Sequence, residues 1–565
     1  MNYWQEVKNL ISQKLEVDDL LFSYPTDLSL GELSLTCFVQ AKKNNQNPAE
    51  LAAIWAKKLQ EDEQLSNYFS EIKVVGPYIN FFLSINLLAN RVITEVKEKK
   101  DKYGCNDEGN DAKVMIEFSN GNTHKEYHVG HLRNISYGDS ISNILDANGY
   151  KAIRVSYIND FGIHVAKTVW NWKHNPEYTN RPEPKGFLLG KCYAQASQKL
   201  SDQPEYKFDV TKIMHDIESR QGENYDLWKE TRNWSIEYFA SIYKELGIKF
   251  EKIFYESEMI DEGLEIVKSL TEKGILFESQ GAIIADLEEY GLGVLPIIRS
   301  DKTALYPVAD LALAINKFAL YDLSESIYVV DIRQSLYFKQ LFKILELLGY
   351  KQKLVHLAYD FVTLPEGMMS SRSGNVITYQ ELRDKLKFEL IKETRLRREN
   401  WSDEQVEKTA ENLMIAIIKF EMLKTGAEKE IVFNIQEALK FDGYTACYLE
   451  YSYARLKSIL RKEGPSYFSG KVDLSELKED KEKELLLKIA KYPEIIVISK
   501  ERKKPSEIAK YLFELAKISN DYYHSINILK ADKKIKKARL SLIKATTQTL
   551  KNGFELLGLP VLEEM

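Results

Sequence analysis

Three of the chain's eight histidines fall within eight positions of the stretch HKEYHVGHLRN: His124, His128 and His131, with Lys125 among them. Imidazoles gathered in this way suit metal binding, acid–base work or phosphate binding. A His-x2-His pair plus a loop histidine offers zinc three ligands. A doubly positive ion at a helix start would meet the wrong end of the helix dipole, however, and no carboxylate or cysteine stands at helical spacing. The bland alternative is that the rings cap a helix and pack. Phosphate fits the placement best. Unpaired backbone N–H groups at a helix start favour anions, imidazole N–H groups add donors, and Lys125 adds a full positive charge. Gly130, between the two later histidines, leaves space for a ligand to approach the backbone or for tight packing.

Two further stretches hold polar groups of interest. SDKTALYPVADLALAINKF sets Tyr306 and Asp310 four apart, on one face of a helix start. Taken singly, such an Asp reads as a cap and such a Tyr as core. LPEGMMSSRSGNVITYQEL, residues 364–382, carries Met369, Ser370, Ser371 and Arg372 in a polar loop.

The elements that must position these groups follow from periodicity. VMIEFS reads as a strand, VGHLRNISYGDSISNILDANGY as a long helix stopped by Gly149, and AIRVSYI as the next strand. Strand, helix and strand in about fifty residues form a βαβ unit of a parallel sheet. VLPIIRS (294–300), SIYVVD (326–331) and HLAYDFVT (356–363) are further strand candidates, giving a doubly wound sheet in two halves. A mostly helical insertion at about 165–290 separates the halves. Residues 1–100 mix helix and strand. The polar stretch 97–113 reads as a linker, and the chain from about 380 onward is helical. The expected class is thus α/β: a Rossmann-like parallel-sheet catalytic domain over 101–400, an α+β N-terminal domain over 1–100 and an all-α C-terminal bundle over 401–565.

Length and composition agree. At 565 residues the chain is too long for one core. Apolar residues make up 44% and charged residues 29%, an ordinary globular balance, and no apolar run reaches the ~20 residues of a membrane span. The first residues read as an amphipathic helix with acidic residues rather than a leader. The four cysteines lie far apart without a CxxC pair, which fits a reducing, cytoplasmic setting. The net charge of −6 leaves nucleic-acid binding to local basic faces such as ETRLRREN, ERKKP and KADKKIKKAR.

Taken together, the motifs resemble the class I aminoacyl-tRNA synthetases, whose first ATP-binding signature has the form of HVGH, and within them the arginyl-tRNA synthetases. EFSNGNTHKEYHVGHLRN followed by Gly138-Asp139 is similar to that family's strand, Ser-x-x-Asn loop, lysine and signature. NDFG (159–162) is similar to its GDWG-like turn, with Asn159 for Gly and Phe161 for Trp. The resemblance implies ATP binding by His128, Gly130, His131, Met369 and Ser370. It implies arginine binding by Glu117, Asn122, Tyr306, Asp310 and Gln334, with Asp310 on the guanidinium, as a planar cation requires. Tyr337 stands where many relatives have His. The loop MMSSR departs from the family's KMSKS: both lysines are missing, and Ser371 holds the catalytic lysine's place.

Catalysis is therefore assigned to Lys125, His128, His131, Ser371 and Arg372, with Lys125 supplying the missing charge. The C-terminal stretch FDGYTACYLEYSYARLKSI resembles the family's anticodon-binding bundle, and VVGPYINFF its tRNA-elbow domain. These imply tRNA contacts by Tyr448 and Tyr451, and by Tyr78 and Asn80. The implied activity is ATP-dependent ligation of L-arginine to tRNA(Arg) through arginyl-adenylate, by a monomer, with Mg2+ on ATP and no protein-bound zinc. A synthetase for another amino acid, a non-catalytic RNA-binding relative and a metal-dependent hydrolase are the rivals.

Overall fold

The computed structural model describes residues 2–18, 20–363, 365, 377–464 and 472–565. At the N-terminus, β1 (Leu21–Ser23), β2 (Leu33–Thr36), β3 (Phe69–Val75) and β4 (Tyr78–Leu83) form an antiparallel sheet ordered β1-β2-β4-β3. Helix Pro48–Gln60 packs on it, and helix Tyr3–Leu15 packs on that helix. Asn47 accepts from the Ala49 N–H at 2.9 Å, and Pro48 opens the second helix, where a missing N–H costs nothing.

The stretch expected to be a linker is a packed segment. Tyr103 is buried and donates to the Ile489 carbonyl at 2.9 Å, while the Gly109 N–H donates to Asn148 O at 2.8 Å. Gly, Asp and Lys dominate its composition, but one tyrosine anchors it, and the preceding helix Ile85–Lys99 lies against the C-terminal helices.

The central sheet is fully parallel. Its strands are β5 (Lys113–Glu117), β6 (Lys151–Ile158) and β7 (Lys252–Tyr255), then β11 (Glu325–Asp331) and β12 (Lys353–Tyr359). The order β12-β11-β5-β6-β7 is the doubly wound arrangement, with its switch point between β5 and β11. One expected strand is misplaced. VLPIIRS is β10 (Val294–Ile298), the edge of a small antiparallel sheet with β8 (Phe277–Ser279) and β9 (Ala282–Asp286). Pro296 is exposed there, as a residue without an N–H must be on an edge strand. The missing parallel strand is β7, four residues long and inside the range read as helical insertion.

The insertion itself consists of helices Ile163–His174, Lys185–Asp202, Lys207–Glu218 and Gly222–Glu245. It carries an apolar cluster of its own around Val165, Trp170, Ile213 and Trp228. Among the described residues, the C-terminal part is helical from Ala446 to Leu556, and no helix is long and apolar enough to cross a membrane.

Helix Val129–Ala147, here the signature helix, is buried on nearly all sides because it lies between the sheet and the C-terminal helices. Ser140 donates to Leu556 O at 2.8 Å, and Lys419 pairs with Asp139 at 3.0 Å. Its burial therefore extends well beyond one apolar face. Ser136, Ser140 and Ser142 face packed neighbours too, and their small side chains permit close approach.

Candidate active site

The signature helix begins with two histidines in a reciprocal cap. His128 is the N-cap, and its Nδ1 accepts the Gly130 N–H at 3.1 Å. His131 Nδ1 accepts the His128 N–H at 3.1 Å. Both Nδ1 atoms act as acceptors, so in each neutral ring the proton sits on Nε2. Burial, with the nearby Lys125 charge, drives His128 down to about 4 and His131 well below the usual imidazole range. The two rings, with centroids 3.9 Å apart, are thus neutral Nε2–H donors at a helix N-terminus. A side chain at Gly130 would place its Cβ 2.9 Å from His128 Cε1. The glycine makes room first for the capping imidazole.

His124 does not join them. Its Nδ1 lies 2.9 Å from Thr123 Oγ1 and its Nε2 2.8 Å from Thr231 Oγ1, so both nitrogens are engaged away from the cap. Among the described residues, no cluster of three or more His, Cys, Asp or Glu side chains could hold a metal ion. Asn122 pairs with Asn159 in a short parallel bridge, which fixes the loop ahead of Lys125 at the carboxyl edge of the sheet.

An acidic cluster forms the other end. Helix Tyr306–Leu320 starts with Tyr306, 64% exposed, and Asp310 follows one turn on. Tyr337 donates to Asp310 Oδ2, which gives this residue a definite place. Burial raises the Asp310 carboxyl to about 6 against that hydrogen bond. Beside it stands Glu256, the first residue of helix Glu256–Glu272 after β7, a residue the sequence reading missed. Burial raises Glu256 to about 8, the neighbouring Asp310 and Asp160 add to the rise, and the Asn159 amide, 3.1 Å from Oε2, opposes it. The buried hydroxyl of Tyr157 faces Asp310 as well and, like Tyr337, opposes the rise of its carboxyl. The only sequence signal for Glu256 was Asn159, noticed as a departure in NDFG.

Between the two ends lies the switch point. Buried Asn134 accepts the Ser119 N–H after β5 and donates to Val329 O of β11 at 2.7 Å, so one amide spans the two strands. Glu117, at the end of β5, is buried and ion-paired with the wholly buried Lys317, and its other oxygen accepts from Asn120 at 2.9 Å. Its expected part in arginine binding must share the carboxylate with Lys317. Gln334 is exposed in the turn after β11, at the same edge of the sheet. Arg133 is buried, and its guanidinium donates to five carbonyls at 2.7–3.1 Å: Asp360, Phe361, Gly426, Ala427 and Lys429. Met369, Ser370, Ser371 and Arg372 lie outside the described residues.

The remaining expected contacts are dispersed. Tyr78 is exposed and meets Phe38 edge-on at 5.9 Å. Asn80 lies two residues on and so on the same face of β4 as Tyr78, but it is buried between β2 and β3, and its Oδ1 accepts from Ser34 at 2.7 Å. Tyr448 accepts from Asn520 at 3.0 Å. Tyr451 accepts from Arg455 at 2.7 Å, and that guanidinium also lies over its ring.

With this geometry established, comparison with known proteins is direct. Residues 92–435 match the family described as tRNA synthetases class I (R), catalytic domain. Residues 449–565 match the DALR anticodon binding domain, and residues 4–83 the arginyl tRNA synthetase N terminal domain. The chain is 38% identical to the arginine–tRNA ligase of Bdellovibrio bacteriovorus, over 96% of this chain and 93% of that one. It is 34% identical to that of Halothermothrix orenii over 100% of both. The solved Thermus thermophilus arginyl-tRNA synthetase superposes with a TM-score of 0.84 at 26% identity, covering 100% of this chain and 99% of that one.

Proposed function

Because this chain belongs to the class I arginyl-tRNA synthetases, we propose that it charges tRNA(Arg) with L-arginine at the cleft between the histidine cap and the acidic cluster. The observation that carries this reading is the pairing, across one switch point, of neutral donors at a helix N-terminus with buried acids. The arginine carboxylate attacks the α-phosphate of ATP, taken as its Mg2+ complex, in line. The new O–P bond gives arginyl-adenylate, and pyrophosphate leaves. The arginyl group then passes to the 2′-hydroxyl of the terminal adenosine, and AMP leaves. Catalysis rests on positioning and charge stabilisation, with no covalent enzyme intermediate.

In this reading the Nε2–H groups of His128 and His131 donate to phosphate oxygens. Asp310 and Glu256 ionise against the guanidinium and form charge-assisted hydrogen bonds, with Tyr306 and Tyr157 beside them. Glu117, Asn122 and Gln334 hold the rest of the amino acid. Lys125 supplies the charge that the MMSSR loop lacks, with Ser371 and Arg372 assisting. Tyr78 faces the tRNA elbow, and Tyr448 and Tyr451 face the anticodon. Pyrophosphate exchange with tRNA present tests the central claim. Lys125→Ala is expected to lose roughly 10²–10³-fold in kcat, the usual cost of removing one transition-state donor. Near-normal exchange in that variant sinks the assignment.

A further inference from the structure

Four consecutive residues around Lys125, from His124 to Tyr127, touch the helical insertion. The His124 N–H donates to Ser235 Oγ at 3.0 Å, and His124 Nε2 meets Thr231 Oγ1 at 2.8 Å, both on helix Gly222–Glu245. The Lys125 ammonium lies over the ring of Tyr193, 5.4 Å from its centroid, on helix Lys185–Asp202. Glu126 packs against Gly190 one turn earlier on that helix. A Cβ at Gly190 would come within 2.7 Å of the Glu126 backbone nitrogen, so the two segments meet without a side chain between them. The Tyr127 ring meets Phe239 edge-on at 5.6 Å.

His124 itself has a positive φ of 63°, a conformation that non-glycine residues hold only when their surroundings fix it. Here the fixing groups are hydroxyls of the insertion. Burial also keeps His124 neutral, down to about 3, so the clamp does not loosen through protonation at ordinary pH. Tyr193 faces the other side of the site as well, since its hydroxyl is close enough to Tyr306 to influence that phenol electrostatically.

We propose that the insertion is the scaffold that seats the catalytic lysine, and that Tyr193 is the positioning residue that holds its ammonium at the phosphate end of the cleft. A lysine on a four-carbon stem has several rotamers and a strongly hydrated head. A half-buried aromatic face selects among those rotamers without neutralising the charge, as a carboxylate would. This inference rests on the assignment of Lys125 above.

Pyrophosphate exchange with tRNA present, on the full chain, separates the two. Lys125→Ala tests the underlying assignment. Tyr193→Ala is expected to lose about tenfold in kcat, with the KM for arginine changed less than about twofold, while Tyr193→Phe retains activity within about twofold because the ring does the seating. In Lys125→Ala/Tyr193→Ala, the second substitution is expected to cost almost nothing more. Thermal unfolding of each variant separates a loosened loop from a lost fold. If Lys125→Ala is slow while folded Tyr193→Ala is normal, or if the two losses multiply in the double variant, Tyr193 does not act through Lys125 and the proposal is overturned. If Tyr193→Phe falls as far as Tyr193→Ala, the hydroxyl rather than the ring is responsible, which also overturns it.

Discussion

The two ends of the cleft meet the same physical pressure with opposite results. Burial disfavours charge at both. It leaves His128 and His131 neutral, which is the state a pair of Nε2–H donors needs. It also leaves Asp310 and Glu256 partly protonated near neutral pH, which is not the state that binds a cation. The histidine end is thus finished before substrate arrives, and its protons are fixed by the backbone cap. In the proposed reading, the acidic end completes itself only when a guanidinium drives both carboxyls to ionise.

Asp310→Asn breaks the comparison most severely. It keeps the shape and the Tyr337 contact but removes the charge. The kcat/KM for arginine is expected to fall roughly 10²–10³-fold, as when one partner of a buried charge pair is lost, with the KM for ATP within about threefold. Equal losses toward both substrates would show that the two ends are not separate. The pH dependence comes next. Arginine binding must expel the proton held by Glu256, whose free value is about 8, and part of that held by Asp310, about 6. Affinity is therefore lost as pH falls through these values. The KM for arginine is expected to drop about ten- to thirtyfold between pH 6.5 and 8.5, with proton release seen by calorimetry in buffers of different ionisation enthalpy. The KM for ATP should stay flat there, because His128 remains neutral down to about 4. The smallest effect is expected from Asn159→Gly. Loss of its amide donor lets Glu256 rise further and shifts the midpoint of the arginine profile upward by roughly half a unit. A downward shift would mean that Asn159 does not hold the ionised form.

The sequence reached the histidine end more fully than the acidic one, for a physical reason. His128, Gly130 and His131 lie in one continuous stretch, so their spacing alone places them at a helix start. Tyr306 and Asp310 share a helix turn, but spacing alone read them as core and cap, and only the resemblance to the family pointed to a site there. Glu256 joins them only through the sheet. It follows β7, four residues whose membership depends on pairing with β6, and no local period reveals that. VLPIIRS shows the converse, since a run apolar enough for a central strand lies on the edge of a small antiparallel sheet instead. Tyr337 was legible only as a departure from its relatives, and its bond to Asp310 gives the departure a function. Asn80 shares Tyr78's face of β4, as the period of a strand requires, yet it is covered by the neighbouring strands and bonded to Ser34 while Tyr78 is exposed.

Arg133 offers a last lesson about cations of one kind. A protein that handles free arginine also keeps a guanidinium of its own, buried at the root of the signature helix and held by five carbonyl dipoles. A carbonyl cannot take up a proton in water at ordinary pH, so the acceptors around that covalently tethered resident do not change with pH. In the proposed reading the visiting guanidinium is met by carboxyls poised near neutrality, and a group that accepts a proton easily is one that can let its guest go. Permanence and turnover are written in the choice of oxygen.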